Sequence, residues 1–128
     1  IAFKRNSIQE KNIRFNTDFG TGSGIYSFAE DSLFFCDIHR NGLKAYTYPA
    51  VIADLYTGDS SWFNGFNKKY FYDMGAFLAA GYPKLKFLYK WYYPLRLYKK
   101  SELSIWEIIR YINLGIEGYK TKKIYCET

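Results

Sequence analysis

Residues 18–34 read DFGTGSGIYSFAEDSLF, and this stretch determines how the flanking sequence is interpreted. Its three glycines, at alternate positions from Gly20, lose too much backbone entropy in regular structure and therefore predict a loop. The sequence Ser27-Phe28-Ala29-Glu30 has the spacing of a capping box, in which a hydroxyl and a carboxylate satisfy the first backbone N–H groups of a helix. A helix is therefore predicted from this box to about Asn41, with Gly42 as its stop signal.

Short extended runs with alternating apolar residues flank the loop and helix, and they predict strands. These runs cover residues 1–5, 12–16, 43–48 and 51–56. So few strands would form a poor sheet alone, and the chain begins at Ile1 inside an apolar run. We therefore expect an α/β fold of which this chain is the C-terminal half, with the sheet completed by an N-terminal half.

Three further helices are predicted from apolar residues at helical spacing. Asn67 is the predicted cap of the first and Pro83 starts the second. Ser101 or Ser104 starts the third, with a capping box at Ser104. This pattern divides the chain into an α/β part at residues 1–82 and a basic, amphipathic helical extension at residues 83–128.

Charge is distributed unevenly along the chain. The net charge is +6, and residues 81–128 carry ten basic against four acidic groups, whereas the preceding residues are balanced at eight and eight. Such asymmetry indicates either an anionic partner, which would be a membrane surface or a nucleic acid, or a plain solvated basic end. The second helix also has an apolar stripe, for which packing on the rest of the protein is favoured over a membrane interface or a dimer contact. Its members are Leu85, Leu88, Trp91, Tyr92 and Leu95.

The rarer residue types restrict the classes of function. Cys36 and Cys126 are isolated cysteines and His39 is the single histidine, so a structural zinc site is not expected. Cys36 is predicted to be a buried thiol, which fits a reducing cytoplasm, and no apolar run approaches the ~20 residues of a membrane span. No RNA-binding motif occurs, so nucleic acid is not an expected partner. The predicted location is the cytoplasm, either free or at the inner face of the cell membrane.

Glu30 and Asp31 are adjacent carboxylates in the first turn of the predicted helix. A helix N-terminus stabilises such groups, so we expect Asp31 to stay ionised, and Glu30 to serve as the capping partner. Asp31 is then free to point into a cleft. These features alone favour helix capping over catalysis.

The order of motifs resembles the acceptor side of family 2 glycosyltransferases, most closely bacterial enzymes of capsule, exopolysaccharide or lipopolysaccharide synthesis. The resemblance covers about residues 1–82. It rests on the glycine loop, Glu30-Asp31, the helix that ends before Gly42, and three later segments. These are Tyr46-Thr47-Tyr48-Pro49, Ser60-Ser61-Trp62-Phe63 and residues 67–76.

The resemblance implies a GT-A-like, nucleotide-sugar-binding α/β fold and an inverting transfer. The donor would be a nucleotide-sugar of the UDP type, and the acceptor a polysaccharide or a lipid-linked glycan. Asp31 corresponds to the family's general base, which can accelerate such a step by ~10²–10⁴. Glu30 would position it, and Ser61 and Trp62 would contact substrate, although Trp62 is equally expected to fold back on the core.

One departure from the family concerns the metal. The family holds its nucleotide and a divalent cation through its N-terminal half, with an Asp-x-Asp motif that this chain lacks. Mg²⁺ or Mn²⁺ is therefore expected to bind the missing half of the parent protein and not this chain, and the chain alone is expected to be inactive. The competing hypothesis is a non-enzymatic basic module that binds a membrane surface, a protein partner or nucleic acid.

Overall fold

Helices form the regular structure of the part of the chain that a computed structural model describes, which is residues 3–47, 49–51, 53–54, 63–122 and 125. Five α-helices and one short 3-10 helix occur there. They are α1 (Arg5–Glu10), α2 (Glu30–Arg40), α3 (Lys68–Gly81), α4 (Lys86–Leu97), the 3-10 helix (Tyr98–Lys100) and α5 (Ile105–Thr121).

The prediction of an α/β, GT-A-like fold is wrong for the described residues, because they contain no strand and only one isolated bridge, between Phe19 and Tyr26. Residues 5–10, partly assigned to a strand, form α1 instead, and residues 12–16 and 43–47 are irregular. Ile8 and Ile13 of these segments are nevertheless buried, whereas Phe15 and Tyr46 are exposed. Ile8 and Ile13 pack with Phe34 and Ile38 of α2 in a small separate cluster. The alternating apolar residues therefore indicated segments that pack against a helix, not strands that pair in a sheet. The strand predicted at residues 51–56 lies mostly outside the described residues.

The main core lies between α3 and α5, which make the most extensive helix–helix contact of the described residues. Phe71 and Leu78 of α3 and Ile108 and Ile112 of α5 are completely buried there. A backbone-to-backbone approach makes this packing close. A Cβ atom on Gly75 would lie 2.1 Å from the Ile112 carbonyl oxygen, and one on Gly115 would lie 1.8 Å from that of Tyr72. The two glycines therefore set the distance between the helices. The predicted division at residues 82 and 83 stays a prediction, and α3 and α5 pack across it.

Two of the predicted helix caps are confirmed. The Asn67 side chain accepts the Tyr70 N–H at 2.9 Å. Ser104 and Glu107 form the reciprocal capping box, with the Ser104 N–H donated to the Glu107 carboxylate at 2.9 Å and the Glu107 N–H to the Ser104 hydroxyl at 3.3 Å. These hydrogen bonds from Ser104 stabilise the carboxylate and lower the pKa of Glu107.

The capping box predicted at Ser27 is wrong. Helix α2 begins after Ala29, which adopts a left-handed conformation with φ of 84° and provides no side-chain cap. Ser27 lies two residues before the cap position, and its backbone N–H is bonded to Asp73 of α3 instead. The extent predicted for α2 is otherwise close to the helix observed.

Helix α4 begins at Lys86, a few residues after the predicted start, and contains the buried Pro94. Its orientation differs from the expected packing. The side that faces the core carries Tyr89, Tyr93 and Leu97, whereas the predicted apolar stripe is exposed in the described structure.

Replacement of Gly115 by alanine tests the α3–α5 contact. In an unconstrained helix alanine is favoured over glycine by about 1 kcal/mol. Here the added methyl group would overlap the Tyr72 carbonyl, and overpacking costs about 1–3 kcal/mol or more. We therefore expect Gly115→Ala to lower the free energy of unfolding by at least ~2 kcal/mol in urea titrations. Gly81→Ala is the matched control, since its Cβ would meet only side chains at 3.2 Å or more. Equal stability of the Gly115 variant and the wild type would contradict the close contact.

Candidate functional site

The glycine loop is closed by its own hydrogen bonds. The Gly20 N–H donates to the Tyr26 carbonyl at 2.9 Å, and the Tyr26 N–H donates to the Asp18 carbonyl at 3.1 Å. Within the loop the Ser23 hydroxyl donates to the Tyr26 carbonyl at 2.9 Å and accepts the Ile25 N–H at 3.2 Å. The three glycines all have positive φ, which explains why the loop requires them. The predicted loop thus has a defined conformation.

An ion pair between the buried Asp73 carboxylate and the partly exposed Lys69 ammonium fixes this loop to α3. The Asp73 side chain, only 1% exposed, accepts the Ser27 N–H at 2.9 Å and the Lys69 ammonium at 2.5 Å. Lys69 also donates to the Ile25 carbonyl at 2.9 Å. Both carboxylate oxygens and the ammonium therefore have partners, which offsets the desolvation of the two charges.

Aromatic packing holds the other side of the loop. Tyr26 is 3% exposed and stacks on Phe19 with ring centroids 4.5 Å apart. It also lies beside Tyr72 of α3 and Tyr119 of α5. Burial, together with the neighbouring Tyr72 and the carboxylates of Asp18 and Asp73, raises the pKa of Tyr26 to about 12. The loop is therefore attached to the α3–α5 core by charge and by apolar contact.

Glu30 and Asp31 occupy the first turn of α2 but have different surroundings. Glu30 is half-buried, and its carboxyl group lies against the loop, where a Cβ on Gly20 would be 2.8 Å from the Glu30 Cδ. Asp31 is exposed. The predicted pairing of Glu30 with Ser27 is absent, because the Ser27 N–H is bonded to Asp73 and the Glu30 carboxyl group lies beside Gly20.

Two cavities lie beside the glycine loop and α2. One, of about 360 Å³, is lined by residues 20–27 of the loop together with Asn64 and Lys69. A second, of about 840 Å³, lies between α2 and the connection from α3 to α4. Its wall on α2 includes Ser32 and Phe35, and Asp31 stands one helical turn before Phe35 on the same face of α2. Asp31 itself is not among the residues that line this cavity, and Phe35 also lines a further cavity of about 550 Å³ beside α1. Ser61 and Trp62, the other predicted substrate contacts, lie outside the described residues.

The far end of the second cavity carries polar groups from both sides. Cys36 is a half-buried free thiol, and a hydrogen bond between it and the Tyr82 hydroxyl, with burial, raises the pKa of Tyr82 to about 12. The sequence predicts a buried thiol at Cys36, whereas the side chain is only partly buried. His39 is exposed, and Arg40 donates to the Ala80 and Gly81 carbonyls at 2.9 and 2.6 Å. Arg40 therefore caps the C-terminus of α3.

No group of three or more His, Cys, Asp or Glu side chains in the described part of the chain is arranged to hold a metal ion. The described residues thus offer no ligand set for Mg²⁺ or Mn²⁺, and metal binding elsewhere in a larger parent protein stays a prediction. Among the helices of these same residues, none combines the length and the apolar character needed to cross a bilayer.

Comparisons of the chain with protein-family models, with curated proteins and with solved structures gave no match. The resemblance to family 2 glycosyltransferases, and the activity it implies, therefore stay predictions.

Sequence reasoning missed the function of Asp73 and Lys69, which fix the loop. A signal for them was present, because an Asp and a Lys four residues apart lie on one face of a helix, here inside the apolar run of α3. What the sequence does not display is that the Ser27 N–H, 46 positions away, approaches the same carboxylate.

Replacement of Asp73 by asparagine tests the attachment of the loop. The change removes the charge that Lys69 and the Ser27 N–H share, and hydrogen bonds to charged groups contribute about 1.5–3 kcal/mol. We expect a loss of about 2–3 kcal/mol in the free energy of unfolding and faster amide hydrogen exchange at Tyr26 and Ser27. Asp37→Asn is the control, since its ion pair with Arg40 is about two-fifths exposed and contributes at most ~1 kcal/mol. Unchanged exchange in the Asp73 variant would refute the attachment.

The raised pKa of Tyr26 predicts a loss of stability in alkali. The folded protein holds the hydroxyl proton up to a pH of about 12, whereas the unfolded chain releases it near pH 10. The contribution is therefore complete below pH 10 and is lost as the pH rises towards 12. Between pH 8 and pH 11, the free energy of unfolding of the wild type should fall by about 1 kcal/mol more than that of Tyr26→Phe, as measured by urea titration. The figure follows because a shift of one pKa unit corresponds to about 1.4 kcal/mol. Tyr46→Phe, at a side chain 84% exposed, should behave as the wild type. Parallel losses in all three proteins would contradict the assignment.

Proposed function

We propose that the chain is the acceptor-side part of an inverting family 2 glycosyltransferase that moves a sugar from a nucleotide-sugar donor to a glycan or a lipid-linked acceptor. The observation that carries the proposal is the exposed Asp31 carboxylate at the start of α2, one helical turn before Phe35, which lines a cavity of about 840 Å³. The motif order from the glycine loop to residue 76 supports it. An α/β fold is not part of this proposal.

Asp31 acts as the general base. Its carboxylate accepts the proton of an acceptor hydroxyl while the oxygen attacks the anomeric carbon of the donor. The new C–O bond forms as the bond to the nucleotide diphosphate breaks, and the electron pair leaves with the phosphate. Attack from the face opposite the leaving group inverts the configuration at that carbon.

Glu30 is a positioning residue in this scheme. Its carboxyl group lies against Gly20, and the loop is in turn bonded to Asp73 and Lys69 of α3. The start of α2 is thereby held against the core, which restricts the movement of Asp31. Such restriction matters because a displacement of about 1 Å can lower the rate of an oriented reaction by 10²-fold.

The cavity beside α2 is the acceptor site in this proposal. It combines the exposed aromatic ring of Phe35 with hydrogen-bonding groups of Ser32, His39 and Tyr82. A sugar ring has an apolar face and a rim of hydroxyls, so a mixed lining of this kind suits it. Ser61 and Trp62 remain candidate substrate contacts, and Mg²⁺ or Mn²⁺ would be supplied by another part of the parent protein.

Sugar transfer by the full-length natural protein that contains this chain tests the proposal. The assay uses Mn²⁺, labelled UDP-sugars and a glycolipid extract as a mixed acceptor. We expect transfer by the wild type and a loss in kcat of about 10²–10⁴-fold in Asp31→Asn, because the amide cannot accept the proton. The isolated chain is expected to transfer nothing.

Asp37→Asn is the matched control, because it removes a second exposed carboxylate from the same helix, where it pairs with Arg40. It should keep the wild-type rate within about twofold, as it touches only a surface ion pair. Equal rates in the Asp31 variant and the wild type, with both proteins folded, would show that Asp31 is not the general base. Absence of transfer with every donor would favour the alternative, a non-enzymatic basic module.

A further inference from the structure

Helix α4 presents a second apolar side that no described residue covers. Phe87, Leu88 and Leu95 are 65%, 66% and 63% exposed. Trp91 and Tyr92 lie between them, about half-exposed, and Trp106 of α5 adjoins Trp91 edge to face with ring centroids 6.4 Å apart. We call these six side chains the outer surface of α4.

The outer surface of α4 is distinct from the side of the helix that packs on the core. The opposite side of α4 already packs on the main core through Tyr89, Tyr93 and Leu97. A surface helix of a globular protein normally places polar residues opposite its buried stripe. Helix α4 instead has apolar residues on both sides, and contiguous exposed apolar patches of this kind mark sites of interaction.

The charged side chains of α4 and of the residues that flank it at 84–100 are all positive. Residues 84–100 contain six basic and no acidic side chains, which are Lys84, Lys86, Lys90, Arg96, Lys99 and Lys100. The ammonium of Lys90 lies 5.8 Å from the ring centroid of Phe87 and 5.9 Å from that of Trp91, and the Arg96 guanidinium lies 5.8 Å from that of Tyr92. The charged ends of Lys90 and Arg96 thus lie over aromatic rings of the outer surface.

We propose that the outer surface of α4 binds the face of an anionic lipid bilayer. Leucine and phenylalanine side chains enter the acyl boundary, while tryptophan and tyrosine favour the headgroup level. Lysine and arginine bury their stems along apolar surface and keep their charges among the lipid phosphates. The composition and the arrangement of α4 match each of these requirements. The inference stands independently of the proposed sugar transfer.

Two other occupants fit the surface less well. A second copy of the chain would bring another six cations against the first six, and like charges across an interface oppose association. A single-stranded nucleic acid would satisfy the charges, but it requires aromatic platforms for its bases. Leu88 and Leu95 are among the most exposed side chains here, and aliphatic side chains offer bases no ring to stack on.

Vesicle binding by the full chain tests the inference. The probes are phosphatidylcholine vesicles with and without about one-third phosphatidylglycerol, read by flotation and by the tryptophan emission maximum. We expect binding to the anionic vesicles with a blue shift, weak binding to the neutral ones, and a marked loss near 1 M salt, where the Debye length is about 3 Å.

Lys86→Gln with Lys90→Gln should weaken binding by roughly fivefold for each cation. Leu88→Ser with Leu95→Ser should weaken it by at least about tenfold without a change in charge.

Matched controls remove the same groups elsewhere on the chain. Lys11→Gln with Lys44→Gln removes two exposed lysines, and Tyr46→Ser with Val51→Ser removes two apolar side chains that are each 84% exposed. Both controls should bind as the wild type does, and circular dichroism would check that every variant is folded.

Three results would overturn the inference. One is the absence of binding to anionic vesicles, and another is an equal loss in the control variants. The third is a dimer that is broken by the leucine substitutions, since this would assign the surface to a second copy of the chain.

Discussion

The backbone contact between α3 and α5 is the constraint on which the other described features depend. At Gly75 and Gly115 there is no room for a side chain, because a Cβ would stand about 2 Å from the opposing carbonyl oxygens. Residues 71–78 of α3 are consequently all buried. A helix buried so deeply leaves no surface on which Asp73 could be solvated. This carboxylate needs partners from elsewhere in the chain, and the glycine loop provides one of them.

The Asp73–Lys69 pair shows how a buried charge can specify a conformation. Two apolar residues at these positions would avoid the desolvation of charges, but they would not direct a backbone N–H to a particular place. With the charges present, the Ser27 N–H and the Ile25 carbonyl bond to opposite partners of the pair, so the loop has one register on α3. The glycines allow the chain to reach that register, because three of its positions require positive φ.

Local signals in the sequence predicted local structure well. The caps at Asn67 and Ser104 depend only on residues within one helical turn, and both are present. The errors concern features set by distant residues. The Ser27 box failed because a carboxylate 46 positions away binds its N–H. The strands failed because alternation specifies a buried side but not its partner, and α2 serves as that partner.

The orientation of α4 is another feature that local sequence signals could not predict. Its sequence is apolar around most of the helix, so spacing alone could not separate Tyr89 and Tyr93, which face the core, from Leu88 and Leu95, which do not. Similarly, the adjacent pair Glu30-Asp31 predicted two acids in a first turn. Only the position of the loop distinguishes the half-buried Glu30 from the exposed Asp31.

Arg40 connects the two proposed sites physically. Its guanidinium, at the end of α2, bonds the last carbonyls of α3 at Ala80 and Gly81, immediately before the turn that leads into α4. The helix that carries Asp31 is therefore fixed relative to the start of the lipid-facing helix, and the cavity between them includes Lys84 and Leu85 in its wall. An acceptor sugar carried on a membrane lipid would approach from the side of α4. In this arrangement, the lipid would stay in the bilayer while its sugar enters the cavity toward Asp31, so membrane binding would restrict the search for the acceptor to two dimensions.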